Sequence, residues 1–177
     1  MNVRLSGGWD KVARLLTTGP ARIQGAARRA LLQEGHYLRG KVVQGFTSQA
    51  PGGLPFKPLS PRTLETRRQR GFRGTKILIV TGDLRNSISV LTLHGGDAVF
   101  VGVARTARRR DSGDLQENIA ATHEFGATRG TATIPARPFI GPIMEQYAPT
   151  ARDRFLRRIA YLLAGDFGTM PLRGMAR

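Results

Sequence analysis

Three histidines, no cysteine and twelve carboxylates are the stock from which this chain could build a metal or acid–base site. His123-Glu124 opens like the helical H-E-x-x-H motif, which needs a second histidine four residues after the first so that both imidazoles share one helix face. Position 127 is Ala127, and His36 and His94 lie far off in sequence. His123 is therefore read as a hydrogen-bonding residue at a helix end. Gly71-Phe72-Arg73-Gly74-Thr75-Lys76 is glycine-rich and basic, but a phosphate-binding P-loop needs Gly-Lys-Ser/Thr opening a helix. A strand is expected next, so a phosphate would meet no helix terminus there. No G-x-S-x-G elbow occurs, and no carboxylate pair stands at a spacing suited to general acid–base work. The absence of cysteine removes disulfides, thiolate metal sites and cysteine nucleophiles together. The chain reads as a non-enzyme without a cofactor.

Arginine is where the chemistry concentrates. The 177 residues carry 28 Lys+Arg against 12 Asp+Glu, a net charge of +16, whereas a lone small domain carries a magnitude of about 2–8. One cluster comprises Arg62, Arg67, Arg68 and Arg70, and a second Arg105, Arg108, Arg109 and Arg110. Such clusters can neutralise phosphates in a salt-dependent, sequence-indifferent way. No aromatic ladder for stacking bases accompanies them, and neither a zinc finger nor a basic zipper is present. The plainer alternative is a set of solvated faces, or ion pairs to acidic neighbours in an assembly.

The elements that position these residues alternate between helical and extended patterns. Ser6 is a candidate cap for a short helix carrying Trp9, Val12, Leu15 and Leu16 on one face. Thr17-Thr18-Gly19-Pro20 ends it and starts the next. From 20 to about 47, Ile23, Ala27, Ala30, Leu31, Leu38, Val42 and Phe46 recur at helical spacing, with small residues suggesting a closely packed neighbour, another subunit being one candidate. Residues 50–59 form an irregular Gly/Pro-rich connection. Ser60-Pro61 then caps a cationic helix running to about 70, with Leu64 its one apolar anchor and Gly71 its end.

The middle reads as β-rich. A buried strand is predicted over 76–80, a turn and one helical turn over 81–87, and a hairpin pairing 88–93 with 98–103 around His94-Gly95-Gly96-Asp97. Residues 105–113 read as an exposed loop projecting from the sheet. Asp114 caps a short helix to about Phe125, with Leu115, Ile119 and His123 on one side. A strand over 131–136 follows, and the last helix spans 142–164, bent or restarted at Pro149. Its stripe is Tyr147, Ala151, Phe155, Ile159, Leu162 and Leu163. The prediction is an α+β fold: a small, mainly antiparallel sheet with long helices at both ends. Residues 1–165 form a single domain (helices over 6–47, the β-rich middle over 76–137, the last helix over 142–164), followed by a flexible basic tail over 166–177. No apolar run approaches the roughly 18 residues of a membrane span, and the first eight residues lack a signal-peptide core.

Three segments in order resemble a known family. Leu59-Ser60-Pro61-Arg62-Thr63-Leu64 is followed by Arg67 and Gly71. Ile77-Leu78 leads to Thr81-Gly82-Asp83-Leu84-Arg85-Asn86-Ser87-Ile88. His123-Glu124-Phe125-Gly126 leads to Ile134-Pro135-Ala136-Arg137-Pro138-Phe139-Ile140-Gly141. Together these are similar to the virion-morphogenesis, or tail-completion, proteins of tailed bacteriophages, including Mu-like phages, over residues 58–141.

The resemblance implies a structural neck protein at the head–tail junction of the virion, made in the host cytoplasm. Its subunits would form a sixfold or twelvefold ring around the DNA passage and meet an adaptor, stopper, tail terminator or tube protein. The alternative is a basic, non-specific DNA-binding or packaging accessory. Within the motifs Gly82 is expected to permit the turn at positive φ, and Thr81 or Asp83 to cap the short helix. Arg85 is expected to bridge to a carboxylate or carbonyl, and Pro135 and Pro138 to stiffen the strand exit so that Phe139 packs as a core anchor. Arg85 and Arg137 are equally candidates for interface contacts, and Arg105, Arg108, Arg109 and Arg110 for DNA or a neighbouring subunit.

Overall fold

A computed structural model describes residues 9–110, 112–130 and 132–166. It is an α+β fold, about 59% helical. The expected cap at Ser6 and the tail beyond 166 lie outside the described residues.

The first element corrects the sequence reading. Helix α1 runs unbroken from Trp9 to Ser48 with Pro20 inside it, where two helices were expected. Pro20 sits on an exposed turn, where water can take the hydrogen bond its missing amide leaves open. The buried stripe is Ala26, Ala30, Glu34, Val42 and Phe46, while Ile23 faces solvent. The small residues do mark a close neighbour, but it lies within the chain. A Cβ on Gly35 would stand 2.5 Å from Val99 Cγ1 and 2.9 Å from Val90 Cγ1, so the glycine lets a hairpin lie against the helix.

That hairpin pairs β1 (Ile88–Leu93) with β2 (Ala98–Val103) in antiparallel register, Ile88 opposite Val103 and Leu93 opposite Ala98. Arg39 Nε donates to the Ile88 carbonyl at 2.7 Å, and Arg28 Nε meets Asp97 at 2.8 Å, fixing both ends of the hairpin to α1. A second, shorter hairpin pairs β3 (Ala127–Arg129) with β4 (Ala132–Ile134). β3 was not foreseen, and β4 is shorter than the predicted 131–136 strand.

Residues 76–80 do not form the predicted strand. Gln49, at φ 61°, accepts from the Ile77 amide at 2.5 Å through its side-chain oxygen and donates from Nε2 to the Ile77 carbonyl at 3.1 Å. A side-chain amide thus takes the place of a neighbouring strand, and Leu78 turns the chain at φ 58°. Ile77, Leu78 and Ile79 pack on the core without a ladder.

Helix α2 (Pro61–Gln69) is capped by Ser60, whose side chain accepts from the Thr63 amide. It ends with Gly71 at φ 82° and the Phe72 amide bonded back to the Arg67 carbonyl at 2.8 Å, which satisfies carbonyls of its last turn. Helix α3 is the single turn Asp83–Asn86. Helix α4 (Gln116–Phe125) starts later than expected, with Leu115 rather than Asp114 at the cap position and no side-chain capping bond. The last helix is in two pieces, α5 (Gly141–Tyr147) and α6 (Ala151–Asp166), restarted through a 3-10 turn that contains Pro149.

The core joins α1 to the middle. Val42, Phe46, Phe56, Leu84, Ile88, Val103, Ala120, Phe139 and Ile143 form one cluster, with the Phe46 and Phe139 rings 4.8 Å apart. Helix α6 is held against α1 by Glu34, buried between Arg154 and Arg158, with Tyr37 and Tyr147 edge to face at 5.8 Å beside them.

Candidate functional site

Side chains from all three sequence motifs line one cavity of about 610 Å³. The segment before and within α2 supplies Leu59, Ser60, Thr63 and Arg67. The turn into α3 supplies Thr81, Gly82, Asp83 and Leu84. Helix α4 and the exit of β4 supply Gln116, Ile119, His123, Ile134, Pro135 and Arg137. The volume lies within the roughly 300–1,000 Å³ usual for ligand-sized sites.

Arg137 holds these walls together. Its backbone amide donates to the His123 carbonyl at 2.6 Å, its Nε to the Lys57 carbonyl at 2.8 Å and its Nη2 to the Pro58 carbonyl at 2.9 Å. Arg67 Nη1 donates to the Lys76 carbonyl at 2.8 Å, tying α2 to the segment before the α3 turn. Both guanidiniums rest on carbonyl oxygens, and among the described residues neither meets a carboxylate. Burial, and in Arg67 also the neighbouring Arg137 charge, lowers both guanidinium pKa values from their usual range.

His123 corrects the expectation of a hydrogen-bonded helix-end residue. Its Nδ1 is buried without a partner. Its pKa falls from 6.5 to about 4, first through desolvation and then through the Arg137 and Arg67 charges. The imidazole is therefore neutral at physiological pH. Gln116 is 2% exposed, and its Oε1 also lacks a partner. Ser60 Oγ lies 2.8 Å from Thr63 Oγ1, and Asp83 pairs with Arg110, so neither engages His123. The arrangement is suited to holding a ligand, with donors and acceptors standing between apolar walls.

The remaining motif residues make local turns, hydrogen bonds and packing contacts. Gly82 takes φ 82°, and Thr81 Oγ1 accepts from the Asp83 amide at 3.4 Å. Ser87 Oγ donates to the Leu84 carbonyl at 2.7 Å. Arg85 differs from expectation, since it donates to the Asn86 side-chain oxygen rather than to a carboxylate or carbonyl. Leu64 is half-buried, Pro61 is exposed at the first turn of α2, and Pro138 is half-buried. Phe139 is fully buried, whereas Phe125 is 81% exposed. Gly126 sits at φ 78° where a Cβ would lie 3.1 Å from the Ile134 carbonyl oxygen.

The arginine loop folds back rather than projecting. Arg108 bridges to Leu115, the Arg109 amide donates to the Asp114 carbonyl at 2.8 Å, and the Gln116 amide to the Ala107 carbonyl at 2.9 Å. Ala107 packs on the core. Arg105 reaches Glu117 at 3.6 Å, Arg110 reaches Asp83 at 3.3 Å, and Arg108 Nη1 donates to the Gly113 carbonyl at 3.1 Å. Arg109 alone of the four lines the cavity.

Sequence reasoning missed Glu124 and Gln116. Glu124 accepts the amides of Phe139, Ile140 and Gly141 at 2.9, 3.1 and 2.7 Å. Its place beside His123 in the third motif was the available signal. Gln116 carried none. Among the described residues no group of His, Asp and Glu side chains comes together that could hold a metal, and no helix is long and apolar enough to cross a membrane.

The profile of the phage virion morphogenesis family matches residues 9–154, and thus spans α1 to the start of α6 and every wall of the cavity. The chain belongs to that family. No curated protein and no solved structure matches it. The family is one of phage virion morphogenesis and is not a known enzyme family.

Proposed function

We propose that this virion morphogenesis protein is a structural subunit of the head–tail junction, a neck or tail-completion component that closes into a ring around the DNA passage. The observation that carries the reading is the two-faced β1–β2 hairpin. One face, with Val90, Val99 and Val101, lies against α1 at Gly35. The other leaves Leu91, Leu93 and Phe100 each more than 40% exposed, on a sheet that among the described residues has only two strands and so no strand pairing along its outer edges. An apolar face beside open edges fits a subunit contact, and a contact between two different surfaces closes into rings. The angle of that contact sets the sixfold or twelvefold choice, and the ring would meet an adaptor, stopper, tail terminator or tube protein.

The second reading, a basic DNA-binding or packaging accessory, is favoured by α2 and its C-cap, which expose Arg62, Arg68 and Arg70 along one short segment. Purified particles separate the two. Stoichiometric copies in finished virions, lost together with infectivity in a Leu91→Ser/Phe100→Ser variant that still folds, are expected for the junction subunit. Absence from virions would leave the accessory reading in place.

A further inference from the structure

We propose that the cavity between α2, the α3 turn and the β4 exit is a docking site for an acidic, apolar peptide segment of another virion protein, with a carboxylate of that segment held between Arg67 and Arg137. It rests on the virion reading only for the source of the partner.

The donors are already in place. A guanidinium carries five N–H groups. Arg67 spends only Nη1 on carbonyl oxygens, and Arg137 spends Nε and Nη2. Among the described residues the other guanidinium nitrogens have no acceptor, and no carboxylate neutralises either group. A carboxylate can accept from such donors bidentately. Gln116 supplies the complementary need, because its buried Oε1 has no donor. A peptide backbone offers an N–H for it within the same segment, the usual means by which an extended peptide is held. Leu59, Leu78, Ile119 and Ile134 provide the walls on which that segment would lay apolar side chains.

Charge selects among occupants. Residues 167–177 of the chain hold Arg173 and Arg177 and no Asp or Glu, so they bring no acidic side chain to the arginines. A nucleic-acid strand would have to bury hydrated phosphates against apolar walls. A segment with few acidic residues set among leucines or valines matches both the charge and the lining. A chain of net charge +16 also attracts such a partner at long range.

The test uses the full-length protein and dye-labelled acetyl-Leu-Glu-Leu-Asp-Leu-amide, with the Gln/Asn version as its neutral twin, followed by fluorescence anisotropy. The acidic peptide is expected to bind at least tenfold more tightly than the twin, and Arg67→Gln to remove at least tenfold of that affinity. Thr63→Trp places a bulky ring at the cavity wall while keeping the backbone amide that Ser60 caps, and is expected to weaken binding as much. It serves as the measurement if Arg67→Gln does not fold. Leu91→Ser, on the hairpin, is expected to leave peptide binding unchanged even where it stops assembly, so failure of the ring reading and failure of this one are distinguishable. Equal binding of the two peptides, unaltered affinity in a folded cavity variant, or displacement by decathymidylate at the concentration of the acidic peptide would overturn the proposal.

Discussion

Glu124, on α4, holds the Gly141 amide at 2.7 Å and so caps a helix that begins seventeen residues later in the chain. The same carboxylate takes the amides of Phe139 and Ile140. Helix α5 has no capping side chain of its own, and its first amides would otherwise lack acceptors. One carboxylate therefore fixes the approach of Phe139 to the core and the start of α5 together.

Glu124→Ala is expected to lower stability by about 2–4 kcal/mol, combining the loss of a helix cap with amides left unsatisfied. Glu124→Gln, which keeps one acceptor oxygen, should fall between the two. Urea denaturation followed by far-UV circular dichroism gives the comparison, and an Ala variant as stable as the parent would remove the capping role.

Glycines in α1 divide by what faces them. Gly35→Ala drives a methyl into Val99 and Val90 and should cost about 1–3 kcal/mol by overpacking. Gly40 has nothing within 4 Å of an added Cβ, and Gly40→Ala should stabilise by about 0.5–1 kcal/mol through helix propensity. Melting temperatures moving in the same direction would contradict the assigned contact of hairpin and helix.

At Gly82 the space is open but the backbone is not, since φ is 82° and the nearest atoms to an added Cβ lie at 3.7 Å. Gly82→Val should therefore cost at least about 1 kcal/mol through strain alone. Phe139→Ala, which removes a fully buried ring from contact with Phe46, should cost about 3–5 kcal/mol. Chemical denaturation of both variants measures the difference between strain and a cavity.

His123 gives the fold an acid-side dependence. Its folded pKa of about 4 lies below its unfolded value of 6.5, so between those values the unfolded chain binds the extra proton. Its contribution to stability is full above about pH 6.5, declines as pH falls, and is gone below about pH 4. The stability difference between the parent and a folded His123→Phe variant should change across that window and be flat above it. An NMR titration placing His123 near 6.5 in the folded protein would contradict the assignment.

Local chemistry was legible in the sequence wherever the cause was local. Ser60-Pro61 starts a helix, His94-Gly95-Gly96-Asp97 turns a hairpin, and Pro149 restarts one. Much of what was not legible depended on partners distant in the chain. Residues 76–80 have strand composition but find Gln49 where a strand would need another strand. Helix α1 continues through Pro20 although Thr17-Thr18-Gly19-Pro20 reads as a break. The arginine loop looked unanchored because Glu117 and Asp83, its ion-pair partners, belong to other elements. The motifs of the cavity were visible one by one; that they face one another follows from Arg137, whose carbonyl partners no spacing rule identifies.

The hydrogen bonds from Arg137 to Lys57 and Pro58 span 80 and 79 positions in the chain. Loops of that length close at a greater entropic cost than the turns of α1 or the four-residue link between β1 and β2, and contacts of such separation slow folding. The helix and hairpin can thus form early, while the cavity takes shape only when the last third of the chain returns to its middle. A subunit halted before that return would carry the hairpin surface but no cavity.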